Sequence, residues 1–252
     1  MIRSLENLSA QRYPGRGIIL GRASSGRNLV AVYFITGRSA SSQARKLVWE
    51  SQALWTRPTD EETLKKGQVD LLIYPAALAT PAGLAVSNGQ QTEDLARALP
   101  QSRSAVNVLN EGLKSWSYEP DAPIHTPRIS GCLRVDGRSG LHIIKRRADG
   151  AEERRAFSFS CAKKGHGFLL TTYAGRDRKL LPSFEGRPRE VRLLRSGSAR
   201  EAAEAVYGAL RPSGGQRDYR VAAACLLLEQ GSGRVVEVHI INRSERTKAN
   251  HG

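Results

Sequence analysis

The sequence predicts an α+β protein with two stacked, mainly antiparallel β-sheets and helices on their outer faces. Short segments with strand character recur along the whole chain, and turn-type residues separate them. Helical periodicity is confined to three segments. Sheets that carry apolar faces must bury them against each other or against helices, so stacked sheets with outer helices agree with both observations. The sequence alone leaves the strand order open.

The first half of the chain begins with a predicted β-hairpin. The apolar runs Gly17–Gly21 and Leu29–Thr36 flank the polar turn Ala23–Asn28, which contains Gly26. Two further short strands are predicted at Leu71–Tyr74 and Leu84–Ser87.

Three helices are predicted. The first begins at Thr92 and the second begins near Gln101, and apolar residues follow each start at three-and-four spacing. The third begins at Ser198, which forms a capping box with Glu201 and so satisfies free backbone N–H groups at the helix start.

The second half of the chain is again rich in strand signals. Phe157, Phe159 and Cys161 alternate with serines, a period of two that indicates a half-buried strand. The predicted strands are Arg128–Val135, Leu141–Arg147, Arg155–Ser160, Gly167–Tyr173, Tyr219–Glu229 and Val235–Ile241.

Length and composition bound the class of protein. The chain has 252 residues and no long linker, so we expect a single domain over residues 1–252. No apolar run approaches the roughly 20 residues that span a bilayer. The N-terminus carries no pattern of a signal peptide. We therefore expect a cytoplasmic protein without a membrane partner.

The cysteines and histidines give no metal signature. Cys132, Cys161 and Cys225 are odd in number and widely spaced, which argues against a disulfide framework. No cysteine or histidine pair has the spacing of zinc ligands. We expect neither a metal nor a cofactor.

The chain is strongly basic. It has 39 Lys and Arg against 24 Asp and Glu, a formal net charge of +15. Such a charge attracts anions, nucleic acid among them. The basic residues are scattered, however, and aromatic residues make up only 6% of the chain, so no base-stacking platform is evident. A solvated surface with a few arginines at a phosphate site is the favoured interpretation, and no nucleic-acid partner is expected.

Three short segments carry candidate binding chemistry. Arg38-Ser39 follows a glycine at a strand end, where a guanidinium fork and a hydroxyl could bind phosphate. Asn88-Gly89 precedes the Thr92 helix, whose free N–H groups suit an anion. Glu119 stands before a proline, which places a carboxylate on an extended loop. Taken singly, each segment is better explained by an ordinary surface turn or a solvated loop.

Taken together, these segments resemble the inosine monophosphate (IMP) cyclohydrolase family of archaea and its bacterial relatives. The resemblance spans most of the chain, and its segments occur in the same order as in the family. They are Tyr13–Gly17, Gly37–Arg45, Leu72–Tyr74, Asn88–Thr92, Tyr118–Pro123, Thr126–Gly131 and Pro182–Gly186.

The resemblance implies a fold and a reaction. The fold is a four-layer αββα arrangement similar to that of the N-terminal-nucleophile hydrolases. The reaction closes the purine ring of 5-formamidoimidazole-4-carboxamide ribotide (FAICAR) to give IMP and water. It needs no cofactor, since the enzyme must position the reacting groups and move protons. The resemblance also implies a homo-oligomer.

The family motifs place three residues at the reacting end of the substrate. Arg45 would stabilise the developing oxyanion, Tyr74 would donate a hydrogen bond or a proton, and Glu119 would orient the carboxamide or accept its proton. The candidate substrate-binding residues are Arg38, Ser39, Asn88, Gly89, Thr126 and Arg128.

Some positions depart from the family pattern. The polar segment that precedes the family arginine is replaced here by 40–44, in which two serines and a glutamine are the only polar residues. Pro75–Leu78 replaces the residues that usually follow Tyr74, and Glu93 stands where aspartate is usual. Two alternatives to an active enzyme therefore stay open. One is a non-catalytic relative that binds a purine nucleotide, and the other is a basic nucleic-acid-binding module.

Overall fold

The structure, a computed structural model, describes residues 3–60, 62, 73–193 and 196–249. The strands are β1 (Arg3–Ser4), β2 (Arg16–Arg22), β3 (Asn28–Thr36), β4 (Arg45–Glu50), β5 (Ala53–Pro58), β6 (Tyr74–Thr80), β7 (Gly83–Ser87), β8 (Arg128–Arg134), β9 (Arg138–Arg146), β10 (Glu152–Ser160), β11 (His166–Thr171), β12 (Arg189–Arg192), β13 (Arg220–Glu229) and β14 (Val235–Asn242). The helices are α1 (Glu6–Ser9), α2 (Ala40–Gln43), α3 (Gln91–Ala98), α4 (Ala105–Gly112), α5 (Ala199–Ala209) and α6 (Arg243–Ala249), and a 3₁₀ turn covers Leu99–Gln101.

The strands form two sheets. The first has the order β1-β12-β11-β2-β3-β13-β14 and the second has the order β10-β9-β8-β7-β6-β5-β4. Neighbouring strands are antiparallel except for the β1–β12 pair. The predicted two-sheet, mainly antiparallel α+β class is thereby confirmed.

The main core lies between the two sheets. Leu20 and Leu226 of the first sheet belong to the same buried cluster as Leu54, Ile129 and Leu141 of the second. Each is fully buried. Burial of one such side chain stabilises the fold by about 1.5–3 kcal/mol, so this layer supplies much of the stability that fixes one sheet against the other.

Helices cover apolar residues on the other side of each sheet. Ala202 and Val206 of α5 pack with Val32 and Cys225 of the first sheet. On the second sheet, α3 and α4 contribute Leu95 and Leu109, among others, to a cluster with Cys132 and Ile144.

The predicted start of the third helix is confirmed. The Ser198 hydroxyl accepts a hydrogen bond from the Glu201 backbone N–H at 3.2 Å, and the Glu201 carboxylate accepts one from the Ser198 N–H at 3.2 Å. No helix in the described part of the chain is long and apolar enough to cross a bilayer.

The β4–β5 hairpin was not predicted from the sequence, and the reason lies in its turn. Ser51 and Gln52 connect the strands with φ of 50° and 62°. A two-residue hairpin turn with two positive φ angles usually has asparagine and glycine, whose signal is absent here.

Tyr74 also has a different place from the one predicted. It begins β6 and does not end a strand. The preceding residues of the predicted Leu71–Tyr74 strand, Leu71 and Leu72, lie outside the described residues.

A buried histidine lies on the helix-covered side of the second sheet. His142 of β9 is paired in register with Ser130 of β8 and is 2% exposed. Neither the His142 Nδ1 nor the Ser130 Oγ has a hydrogen-bond partner among the described residues. Burial, assisted by nearby Arg154, lowers the pKa of His142 to about 4, although Glu152 opposes the shift.

We expect this histidine to make the protein less stable in acid. The folded state binds the His142 proton more weakly than the unfolded state, in which the pKa is about 6.5. Above pH 6.5, His142 therefore does not lower the free energy of unfolding. As the pH drops from 6.5 to 4, the free energy of unfolding falls by about 3 kcal/mol in all. Urea denaturation between pH 7 and 4 would measure this loss in the wild type and in His142→Gln.

The variant should lose less unfolding free energy over this pH range than the wild type. His239→Gln serves as the control, since His239 lies on β14, away from this contact. Equal pH dependence in the wild type and His142→Gln would contradict the assignment.

Candidate active site

Sequence-distant segments meet at one cavity of about 560 Å³, which we call the first cavity. Residues of the segments 13–16, 36–45 and 119–126 line it, together with Tyr173 and Leu181. The lining includes three arginines and two carboxylates. This balance leaves a net positive charge, which favours an anionic ligand.

A tight turn brings Arg16 to the first cavity. Gly15 has a φ of +76°, and a Cβ at this position would lie 2.0 Å from the Thr172 Oγ1. Only glycine therefore fits here. The Gly15 carbonyl accepts a hydrogen bond from the Thr36 hydroxyl at 2.8 Å, which ties the turn to the end of β3.

Glu119 forms a buried ion pair with Arg16. The Arg16 Nη2 donates to the Glu119 Oε1 at 2.5 Å, and the Asn88 Nδ2 donates to the same oxygen at 3.2 Å. The other carboxylate oxygen, Oε2, has no hydrogen-bond donor among the described residues. Glu119 is 3% exposed, and it reaches the first cavity. The carboxylate is thus held by one oxygen and presents the other to a ligand.

Burial and charge act in opposite directions on this pair. Burial raises the pKa of Glu119, and the nearby arginines, with Arg16 foremost, lower it by less. Burial lowers the pKa of Arg16, but Glu119 and neighbouring tyrosines raise it by more. Glu119 is therefore a stronger base than an exposed glutamate, which is the direction that suits a general base.

The loop that carries Glu119 is closed by its own hydrogen bonds. The Glu119 N–H donates to the Thr126 carbonyl at 2.9 Å. Asp121 accepts from the Thr126 backbone N–H at 2.7 Å and from its hydroxyl at 2.5 Å. The Thr126 hydroxyl also lies 2.8 Å from the Tyr173 hydroxyl. Thr126, predicted to bind substrate, lines the first cavity, but its backbone N–H and its hydroxyl both donate to Asp121 within this loop.

Asn88 and Gly89, the candidate phosphate donors, do not line the first cavity. Asn88 is 1% exposed. Its side-chain oxygen accepts from the Ile129 N–H at 2.8 Å and from the Gln91 amide at 3.0 Å. Its amide nitrogen is shared between Glu119 and the Pro127 carbonyl. Asn88 therefore holds the Glu119 carboxylate in place from outside the first cavity.

Arg128 lies in the same supporting layer. Its Nη1 donates to the Gln91 side-chain oxygen at 3.0 Å, and its guanidinium stacks 4.8 Å from the Trp116 ring centroid. A Cβ on Gly89 would meet this guanidinium at 2.6 Å. Arg128 does not line the first cavity.

Arg45 reaches the first cavity as a buried cation without a carboxylate partner among the described residues. It begins β4 and is 4% exposed. Its Nε donates to the Ser42 carbonyl at 3.0 Å. Ser39 caps the one-turn helix α2 by accepting from the Ser42 N–H, so the altered segment 40–44 still forms an ordered wall.

Arg38 lines the outer part of the first cavity and is partly engaged. Its Nη1 donates to the Arg178 carbonyl at 2.5 Å and lies 3.5 Å from the Asp177 carboxylate. Its guanidinium also lies 5.7 Å from the Tyr13 ring centroid. About a third of the side chain remains exposed, at 29%.

Tyr74 lies beneath the first cavity and does not line it. Its hydroxyl is 3.0 Å from the hydroxyl of Tyr33, and both residues are buried between the sheets. Burial and the neighbouring Tyr74 raise the pKa of Tyr33, and the positive charges of Arg16 and Arg45 oppose that rise. The tyrosine pair is therefore within electrostatic range of both arginines.

Arg16 belongs to the Tyr13–Gly17 motif, but no role was predicted for this residue. Its position directly after Gly15 was the available signal, because a glycine fixed in a turn places the next side chain at a defined point. Tyr13 and Tyr173, which stack at 5.7 Å and wall the first cavity, carried no comparable signal.

Comparison with known proteins identifies a family for this arrangement. The sequence model of a family described as IMP cyclohydrolase-like protein matches residues 13–226. A search of curated proteins found no match. Among solved structures, Anbu from Hyphomicrobium sp. strain MC1 is similar at 11% identity with a TM-score of 0.33, over 93% of this chain and 90% of that chain.

Proposed function

We propose that this chain, which belongs to the IMP cyclohydrolase-like protein family, closes the purine ring of FAICAR to give IMP and water. The carboxamide nitrogen attacks the formyl carbon of the same molecule and a C–N bond forms. The formyl oxygen then leaves as water with one proton from the carboxamide nitrogen and one from the formamido nitrogen, and a C=N bond to the formamido nitrogen replaces the C=O bond. The reaction requires a base for the nitrogen proton, a donor for the developing oxyanion and a site that holds the reactive rotamer.

The arrangement of Glu119 and Arg45 in one cavity carries the proposal. One oxygen of the buried Glu119 carboxylate is fixed by Arg16 and Asn88, while the other has no donor among the described residues. Arg45 brings a buried positive charge to the same cavity. A base whose pKa is raised, beside an unpaired cation, suits the removal of an amide proton and the stabilisation of the oxyanion that follows.

Each residue then has a role. Glu119 accepts the carboxamide proton, and Arg45 donates to the formyl oxygen as negative charge develops there. Tyr74 acts from beneath as a positioning residue, through its hydrogen bond to Tyr33. Arg38 and Ser39 bind the phosphate at the outer part of the first cavity.

Replacement of Arg38 tests the phosphate assignment. A charge-assisted contact contributes about 1.5–3 kcal/mol, so Arg38→Ala should lower kcat/KM for FAICAR by roughly tenfold or more. Arg138→Ala is the matched control, because Arg138 is an exposed arginine on β9 outside the first cavity. If Arg38→Ala stays within twofold of the wild type while correctly folded, the phosphate binds elsewhere.

Ring closure by this protein should survive exhaustive chelation. The reaction needs positioning and proton transfer, and the sequence has no pair of cysteines or histidines with zinc-ligand spacing. The measurement is the initial rate of IMP formation after dialysis against EDTA. A rate that disappears on chelation and returns with one divalent metal would contradict this expectation.

The proposal as a whole is tested by turnover. Purified protein is mixed with FAICAR in the absence of metal and nucleotide cofactors, and ring closure is followed by absorbance and by chromatographic identification of IMP. Turnover at neutral pH supports the proposal. Tight binding of IMP without turnover would identify a non-catalytic nucleotide-binding relative instead.

Three broader features belong to the same proposal. The helix-covered faces of the two sheets support a four-layer αββα order. A reaction on soluble nucleotides fits a cytoplasmic protein. Homo-oligomerisation follows from the family resemblance, and sedimentation of the purified protein would test it.

A further inference from the structure

A second cavity, of about 880 Å³, lies on the other side of the Glu119–Thr126 loop. It shares Ile124 and Leu181 with the first cavity. Its wall includes Pro182, Ser183 and Glu185, which belong to a motif that the proposed reaction leaves without a role. The volume lies within the range of about 300–1,000 Å³ that is usual for small-molecule sites.

The second cavity is strongly basic. Lys145, Arg146, Arg147, Arg176 and Arg189 line it, against the two carboxylates of Glu153 and Glu185. Arg147 is paired with Asp149 at 2.9 Å. Arg146, Arg176 and Arg189 form no ion pair with any described residue. The excess positive charge is thus concentrated in a concave surface, where it attracts an anion more strongly than on a convex one.

Lys145 gives this cavity a buried charged wall. The residue is 2% exposed on β9, and its ammonium donates to the Phe184 carbonyl at 3.2 Å and to the Glu185 carboxylate at 2.5 Å. Glu153 lies 3.5 Å away. Burial of an ammonium group is costly unless it is paired. Glu185, however, is 73% exposed, so the principal counterion comes from a side chain that can turn away into solvent.

An apolar surface faces these cations. Leu180 is 61% exposed, one of only two large hydrophobic side chains so exposed among the described residues. With Pro123 and Pro182 it forms part of the same cavity wall. A ligand that fills the cavity must therefore combine an anionic group with an apolar or aromatic body.

We propose that the second cavity binds a phosphate ester with an aromatic body, of the nucleoside monophosphate class. The phosphate contacts Arg146, Arg189 and the Lys145 ammonium, displacing Glu185, and the base packs on Leu180. This site is separate from the ring-closing site, and the proposal does not depend on catalysis in the first cavity.

Calorimetric titration with IMP at low salt tests the proposal through stoichiometry. If both cavities bind IMP, the wild type takes two equivalents and Arg146→Ala/Arg189→Ala takes one. If the first cavity does not bind IMP, the expected numbers are one and none. Failure of this proposal and failure of the proposed function therefore give different results.

A matched double variant controls for net charge. Arg138 and Arg192 lie on the same two strands, β9 and β12, outside the second cavity. Arg138→Ala/Arg192→Ala should keep the wild-type stoichiometry. Equal weakening in both double variants, or no change in either, would overturn the proposal.

Two further measurements complete the test. Lys145→Met, with its fold verified by circular dichroism, should weaken the second equivalent of IMP by about tenfold or more, and an unchanged affinity overturns the assignment of Lys145. Inorganic phosphate should bind at this site at least tenfold more weakly than IMP. Equal affinity would show that the apolar body is not recognised.

Discussion

Replacing Glu119 with glutamine is expected to lower kcat for FAICAR ring closure by roughly 10²–10⁴-fold. Glutamine has the same shape and can still accept the hydrogen bond from Arg16, but it cannot take up a proton at neutral pH. Since the loop is held by hydrogen bonds of the Glu119 backbone and of Asp121, the substitution should leave the cavity intact. Stopped-flow absorbance under saturating FAICAR gives kcat, and titration with IMP gives binding.

The two readouts separate chemistry from binding. IMP affinity should stay within about threefold of the wild type, whereas turnover is lost. Glu190→Gln is the control, because Glu190 also accepts a side-chain hydrogen bond, from His166 at 3.1 Å, but lies outside the first cavity. Full activity in a folded Glu119→Gln variant would exclude Glu119 as the base.

Replacing Arg45 with methionine is expected to lower kcat by about 10²–10³-fold, the usual cost of losing a donor to a developing oxyanion. Methionine keeps much of the volume of the buried stem but removes the charge. Because Arg45 has no carboxylate partner among the described residues, its loss leaves no buried counterion behind. The substitution therefore tests catalysis more than stability.

Arg57→Met is the matched control for this substitution. Arg57 lies on β5 beside β4 and forms an exposed ion pair with Glu50 at 2.5 Å. An exposed pair contributes about 0–1 kcal/mol to stability, so this variant should retain wild-type kcat. An Arg45→Met variant with unchanged kcat and an increased KM would move Arg45 from the reacting end to substrate binding.

Hydropathy patterns were sufficient to predict most of the fold. The β2–β3 hairpin and the capped helix at Ser198 were predicted because alternation, turn residues and the capping box are local signals. The β4–β5 hairpin was missed because Ser51 and Gln52 have positive φ angles, which serine and glutamine rarely adopt. The residue types at this turn therefore do not predict it.

The candidate site depends on contacts between residues that are far apart in the sequence, and local patterns do not predict such contacts. Arg45 and Glu119 were assigned from motifs, and both reach the first cavity. Asn88 was assigned to phosphate because it precedes a helix start, a local feature. The contact of its side chain with Glu119, 31 positions along the chain, was not predicted. Likewise, the importance of Arg16 depends on a contact across 103 positions that no local pattern encodes.

A crystal structure with IMP bound tests the central claim most directly, since the claim is that the sequence-distant motifs serve the reacting end of one nucleotide. We expect the six-membered ring of the base to lie within hydrogen-bond distance of the Glu119 carboxylate and the Arg45 guanidinium, with the phosphate directed towards Arg38 and Ser39. The claim would be contradicted by a first cavity that stays empty at saturating IMP, or by a nucleotide bound there with its phosphate at Glu119.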